Sequence, residues 1–234
     1  MSFFKEALAI FKKTDLPFVK SYKESDKAYT FSFKKGKDIT WRAGQHGLFT
    51  ITHKKIKGAT KPFTVSSSAK EEYVQITTEI GEQPSEFKQA LLELTEGETI
   101  RMSGPVGAFY LKEDRPTLLI AGGIGVTPFR AMLKELENEQ RNHPIHLLYI
   151  DSDKVFLYQD EFQTMASNQP FIVVSFLEAR DDLYQKIDAF IQAYKNNGDY
   201  FVAGSKSMVG SMTNYLIKQE VSKKRIKKDS FYGY

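Results

Sequence analysis

The sequence predicts two folding units in series: an antiparallel six-stranded β-barrel followed by a parallel α/β sheet. Three observations carry this. Residues 16–111 show a mostly period-two apolar pattern, the signature of half-buried strands. From Thr117 onward, short apolar runs alternate with segments of helical spacing. Between them lies Lys112-Glu113-Asp114-Arg115-Pro116, charged and ending in proline, which reads as a domain boundary. A chain of 234 residues has room for two such units.

In the first unit, predicted over 15–112, β-branched and aromatic runs fall at Phe18–Tyr22, Ala28–Phe33, Gly47–Thr52, Phe63–Ser66, Tyr73–Thr78 and Thr99–Met102. Turn-forming stretches such as KKGKD and KIKGAT separate them, and Pro17 stands just ahead of the first run, where a strand tolerates it. One helix interrupts the pattern at Ser85–Leu94, with Pro84-Ser85-Glu86 as its start and Phe87, Leu91, Leu92 and Leu94 as its apolar face. Ahead of this unit, residues 1–14 place Phe3, Phe4, Ala7, Leu8 and Phe11 on one helical face. Packing on the body is the expectation for them, with weak membrane-surface contact as the other reading.

In the second unit, predicted over 116–234, strands at Thr117–Ala121, Ile145–Ile150, Phe171–Phe176 and Tyr200–Ala203 alternate with helices at Pro128–Gln140, Gln159–Ala166, Asp182–Tyr194 and Ser205–Val221. Ser230–Tyr234 is left to add an edge strand or to fold back on a ligand. The first strand runs into Gly122, Gly123 and Gly125, which permit a sharp turn and close approach of a ligand. Thr127 is the predicted N-cap of the next helix and Pro128 its first residue. Free amides and the helix dipole at such a turn form a site for a phosphate at the carboxyl edge of the sheet, the alternative being an ordinary glycine-rich connection in an α/β domain.

Composition closes off several chemistries. There is no cysteine, which removes disulfides, thiolate zinc, cysteine-ligated iron–sulfur clusters and thiol catalysis. His46, His53, His143 and His146 lack metal-ligand spacing, so no metal is expected. A net charge of +4, interspersed with acids, does not argue for nucleic acid. The dense basic run Lys218–Lys228 reads as a solvated helix end, with an acidic partner protein as its functional alternative. No segment is long and apolar enough for a signal peptide or a bilayer span, so a cytoplasmic protein is expected.

The motifs, taken in order, are RAGQHGLFTI (42–51), KPFTVSS (61–67), GEQPSEFKQAL (81–91), GPVGAFYL (104–111), AGGIGVTP (121–128), VAGSKSMV (202–209) and a terminal FYGY. In order and spacing the chain resembles the ferredoxin–NADP⁺ reductase superfamily over nearly its whole length. The resemblance implies an FAD-binding barrel, with FMN as the alternative flavin, and a Rossmann-like NAD(P)H-binding domain. It implies a hydride passed from NAD(P)H to the flavin where the two rings stack between the domains, and then electrons to a separate acceptor. That acceptor is a carrier protein, a haem protein, a ferric complex or another small molecule. A non-catalytic flavin or nucleotide sensor is the alternative.

The resemblance also assigns residues. On the barrel it implies flavin contacts at Lys61, Pro62, Phe63, Thr64, Val65, Ser66 and Thr78, with Phe63 against the ring and Thr64 at the reactive edge. Lys61 and Phe63 stand where the family has an arginine and a tyrosine, losing a two-pronged fork and a phenol hydrogen bond. Gly81, Pro84 and Ser85 lead a helix toward the flavin pyrophosphate, Glu86 is expected to turn away from it, and Phe109 covers the adenine or fills the core. On the nucleotide side the assigned residues are Gly122, Gly123, Gly125, Thr127, Pro128, Asp151, Gly204, Ser205 and Met208. Ala203 stands where many relatives have a cysteine. Phe231, in the terminal aromatic run, is the candidate gate over the flavin, and Thr64, Thr127 and Phe231 are the catalytic candidates. A carboxylate at Asp151 suits a free ribose 2′-OH and repels a 2′-phosphate, which points to NADH, although Lys154 and Lys206 could still hold a phosphate.

Overall fold

The structure is a computed structural model that describes residues 12–137 and 139–231. Two compact units divide the chain, Met1–Tyr110 and Leu111–Tyr234, so the break falls one residue before the charged stretch.

The first unit is a six-stranded antiparallel sheet with strand order β4-β3-β6-β1-β2-β5. The strands are β1 (Lys13–Lys23), β2 (Ala28–Lys34), β3 (His46–Ile51), β4 (Thr60–Thr64), β5 (Tyr73–Glu79) and β6 (Thr99–Val106). Inward-facing Leu16, Phe18, Phe31, Phe33, Phe49, Val74, Ile76 and Ile100 form its core. Just past β4 the two edges meet: Ser66 N–H donates to the Gln75 carbonyl at 2.8 Å, and Gln75 N–H donates to Ser67 Oγ at 3.0 Å. The sheet therefore curls back toward itself around that core. Lys13 and Thr14, which the sequence reading placed in the N-terminal segment, are the first residues of β1; residues 1–11 lie outside the described residues.

Pro17 lies inside β1 rather than ahead of it, a correction with a clear physical reason. β1 pairs with β6 through Lys13–Pro17 and with β2 from Phe18 onward, with a register irregularity between Phe18 and Lys20. The proline occupies the changeover from one partner to the other, so its missing N–H removes no rung from either ladder. Helix α1 (Glu86–Leu92) packs Phe87, Ala90 and Leu91 on the core.

The second unit is a five-stranded parallel sheet with order β11-β10-β7-β8-β9. Its strands are β7 (Thr117–Gly122), β8 (Ile145–Ile150), β9 (Ile172–Leu177), β10 (Asp199–Ser205) and β11 (Ile226–Phe231). Its helices are α2 (Thr127–Glu135), α3 (Gln159–Asn168), α4 (Arg180–Tyr194) and α5 (Lys206–Lys218). β7 is buried from Thr117 to Ala121, as a central parallel strand must be.

Three expectations shift here. α2 stops at Glu135, capped by Leu136, because the sequence beyond it is polar and has no apolar face to bury. α5 stops at Lys218: Glu220 takes a left-handed φ of +62°, and Val221 N–H closes back on the Leu216 carbonyl at 3.0 Å. The basic run is consequently no solvated helix end. Lys223–Arg225 form a 3₁₀ turn, and Ile226–Phe231 pair in parallel with β10, so the last strand begins four residues earlier than expected. No helix among the described residues is long and apolar enough to cross a membrane.

Candidate functional site

In the first unit, the segment following β4 is held from several sides. Trp41 Nε1 donates to the Ser67 carbonyl at 2.9 Å, and Val65 N–H to the Gln45 carbonyl at 3.0 Å. Gln45, a residue the sequence reading passed over, also bonds Arg42 N–H through Oε1 and the Gly107 carbonyl through Nε2, each at 3.0 Å. It staples the segment at 42–46 to the one at 104–109. The Arg42 guanidinium lies 4.6 Å from the centroid of the Tyr110 ring.

Against this frame Thr64 is only 7% exposed, and among the described residues its hydroxyl has no hydrogen-bond partner. Phe63 is half-buried, stacked on Phe87 at 5.5 Å between centroids and edge-on to Phe49 at 6.1 Å. Two other rings therefore fix its plane. Pro62 lies on an edge strand, Lys61 is exposed, and Val65 belongs to the core.

Ser66 is buried in a chain of hydroxyls: its Oγ lies 3.1 Å from Thr77 Oγ1, which lies 2.8 Å from Thr30 Oγ1. Thr30 in turn donates to Glu24 at 2.6 Å. Thr78 and Phe109 are buried, Gly81 is exposed and Pro84 is half-buried. Ser85 caps α1, its Oγ accepting from Lys88 N–H at 3.4 Å. The Glu86 carboxylate accepts from Lys57 N–H at 2.8 Å, turned onto the neighbouring loop.

In the second unit, four strand ends share the carboxyl edge of the parallel sheet. β7 contributes the glycine turn, which winds as a 3₁₀ turn over Gly123–Val126 and continues directly into α2. Thr127 is accordingly the first helical residue and no N-cap: Val126 holds that place without a side-chain bond, since the 3₁₀ turn leaves no extended residue to cap. Thr127 is 3% exposed, and Pro128 follows it in the first turn.

The glycines have a packing reason. A Cβ on Gly125 would lie 2.4 Å from the Ala203 carbonyl oxygen and 2.6 Å from Gly204 Cα, and Gly123 has a φ of +55°. A Cβ on Gly122 would come within 2.1 Å of Met208 Sδ, and one on Gly204, whose φ is +156°, within 2.9 Å of the same sulfur. The β7 and β10 turns thus sit in direct contact.

β8 delivers Asp151, whose Oδ1 accepts from Asp153 N–H at 2.9 Å and Val155 N–H at 3.2 Å. Its Oδ2 lies 3.6 Å from the point where a Cβ on Gly123 would stand. One oxygen holds the loop and the other faces the glycine turn. Lys154 is paired with Glu178 at 2.5 Å. β10 delivers Ser205, the N-cap of α5, whose Oγ accepts from Met208 N–H at 3.3 Å. β11 sets Phe231 in register with Ser205. Tyr232, Gly233 and Tyr234 lie outside the described residues. Among the described residues no cluster of histidine and carboxylate side chains is arranged to hold a metal.

Residues 119–214 match the model of the oxidoreductase NAD-binding domain. The chain is 32% identical over 134 residues to the electron transfer component of toluate 1,2-dioxygenase from Pseudomonas putida, covering 53% of this chain and 40% of that one. It is 28% identical over 205 residues to the NAD(P)H-flavin reductase of Vibrio harveyi, covering 79% of this chain and 84% of the relative. The chain spans about two fifths of the length of the dioxygenase electron transfer components it matches. In three dimensions, the ferredoxin–NADP⁺ reductase of Plasmodium falciparum superposes with a TM-score of 0.78 at 18% identity, covering 95% of this chain and 97% of that one. The second unit carries the oxidoreductase NAD-binding domain, and a six-stranded antiparallel sheet followed by a parallel α/β sheet gives the chain the fold of ferredoxin–NADP⁺ reductase.

Proposed function

We propose that this protein is a flavin-dependent reductase that takes a hydride from NADH onto FAD and passes electrons to a separate acceptor. The observation that carries the reading is the meeting of the β7 glycine turn, Asp151, Ser205 and Phe231 at one sheet edge, within a match to the oxidoreductase NAD-binding domain. The flavin reductase relative, of which the chain covers 84%, supports the activity.

The barrel residues suit a flavin: a fixed aromatic plane at Phe63, an unpaired hydroxyl at Thr64 and an exposed cation at Lys61. When bound, the flavin supplies the hydride-accepting chemistry, and the chain supplies alignment and polarity. In this reading Phe63 would orient the ring, Thr64 would hydrogen-bond its reactive edge and Lys61 would offset pyrophosphate charge. Thr127, Ser205 and the free amides of the glycine turn bind the dinucleotide. No side chain is needed as a general base.

NADH is favoured over NADPH because the Asp151 carboxylate faces the turn and the nearby Lys154 charge is already matched by Glu178. The acceptor is a separate acidic carrier protein or a small molecule, met by the lysines of Lys54–Lys61 and of Lys218–Lys228, in the cytoplasm. The test is direct. The purified protein supplied with FAD should be yellow, NADH should bleach it without air, and ferricyanide should sustain turnover. Heat-released flavin identified by chromatography distinguishes FAD from FMN. Protein that takes up no flavin overturns the proposal, and tight nucleotide binding without bleaching points instead to a sensor.

A further inference from the structure

The chain has no cysteine, so methionine is its only sulfur. Of the methionines with described positions, Met102, Met132, Met165 and Met212 are buried and Met208 is half-exposed. Met208 also occupies the tightest place at the sheet edge. Its backbone is fixed in the first turn of α5 by Ser205, and its sulfur fills the notch between Gly122 and Gly204, within 2.1 Å and 2.9 Å of where their Cβ atoms would stand. A wider group on either glycine would have to push the sulfur out of the notch, and a wider group on the sulfur would press on the two turns or leave the notch itself.

We propose that Met208 is an oxidation site through which hydrogen peroxide lowers the affinity of this protein for its dinucleotide. The sulfur lone pair attacks one peroxide oxygen. An S–O bond forms as the O–O bond breaks, the sulfur loses two electrons, and the second oxygen leaves as hydroxide, which takes the proton from the new S–OH group to give water and the sulfoxide. The new oxygen has two places to go. Directed into the notch, it forces the β7 and β10 turns apart. Directed outward, it sets a negative dipole where the turn amides would receive a phosphate. Both weaken dinucleotide binding, and a methionine sulfoxide reductase reverses both.

The inference rests on the nucleotide reading of this edge, and its test separates the two. The full chain is treated with hydrogen peroxide, the oxidised methionines are located by peptide mass spectrometry, and NADH affinity is measured by calorimetry before and after. Met208 should gain one oxygen ahead of the buried methionines, and affinity should fall on the order of tenfold, the cost of overpacking by one heavy atom. Sulfoxide reductase should restore it. M208L, compared with its own untreated sample, should lose nothing on treatment, whereas M165L should lose as much as wild type. Full oxidation of Met208 with unchanged affinity, or equal sensitivity in M208L, overturns this inference alone. Untreated protein that binds no NADH overturns the nucleotide reading and this inference with it.

Discussion

Gly125→Ala isolates the contact between the β7 and β10 turns. No positive φ is involved at this residue, so the substitution introduces only a methyl group. That methyl would lie 2.4 Å from the Ala203 carbonyl oxygen, 2.6 Å from its carbon and 2.6 Å from Gly204 Cα. All three are backbone atoms, which cannot rotate away as a side-chain tip can. Overpacking costs about 1–3 kcal/mol, and the upper end applies when backbone must move. At about 2–4 °C per kcal/mol for a chain of this size, melting should fall by about 6–12 °C. NADH affinity should fall with it, because the turn that moves carries the amides. Gly81→Ala is the control, since nothing lies within 4 Å of its added Cβ. Melting curves and calorimetric titration of both variants make the comparison. A G125A protein melting within about 2 °C of wild type would refute the claim that these turns are in contact.

Three further outcomes follow from particular residues. Asp151→Ser removes the carboxylate facing the glycine turn, so kcat/KM for NADPH relative to NADH should rise about tenfold, or about 1.4 kcal/mol; an unchanged ratio speaks against the charge argument. Thr64→Val keeps the buried volume and deletes the free hydroxyl. Anaerobic bleaching by NADH should slow about tenfold, the worth of one hydrogen bond, as stopped-flow absorbance would show. Tyr200, fully buried and donating to the Lys195 carbonyl at 2.8 Å, has its phenol pushed up from 10.0 to about 12 by burial and then by Asp199. The unfolded phenol loses its proton first, so its contribution is intact below pH 10 and lost as pH rises toward about 12. Denaturant titrations across that range should show a steeper loss in wild type than in Tyr200→Phe.

The sequence made the two units, the strand and helix series and the glycine turn legible, because period and composition are local properties. Chain pairing was harder to see. Pro17 looked like punctuation before a strand, since only the three-dimensional register shows β1 exchanging β6 for β2 at that residue. Lys218–Lys228 looked like a helix end because clustered lysines mask the alternation of a strand that gains its stability from pairing with β10. Asp151-Ser152-Asp153 did contain a signal, an aspartate able to bond amides two residues on, and the ribose argument passed over it. Gln45 and the seat of Met208 between two glycines left no local trace, because each joins segments far apart in the chain.

The divided loyalty of β1 sets a timetable for synthesis. Its second half can form a hairpin with β2 once residue 34 has emerged, but Asp15 meets Arg101 across a separation of 86 residues. Until β6 leaves the ribosome, Lys13–Pro17 is a strand without a neighbour on that side, exposed to any other nascent chain. The barrel therefore cannot close by sequential growth from its amino end. It waits for β6, the strand that bridges β1 and β3, which makes late and cooperative closure the expected behaviour of this unit.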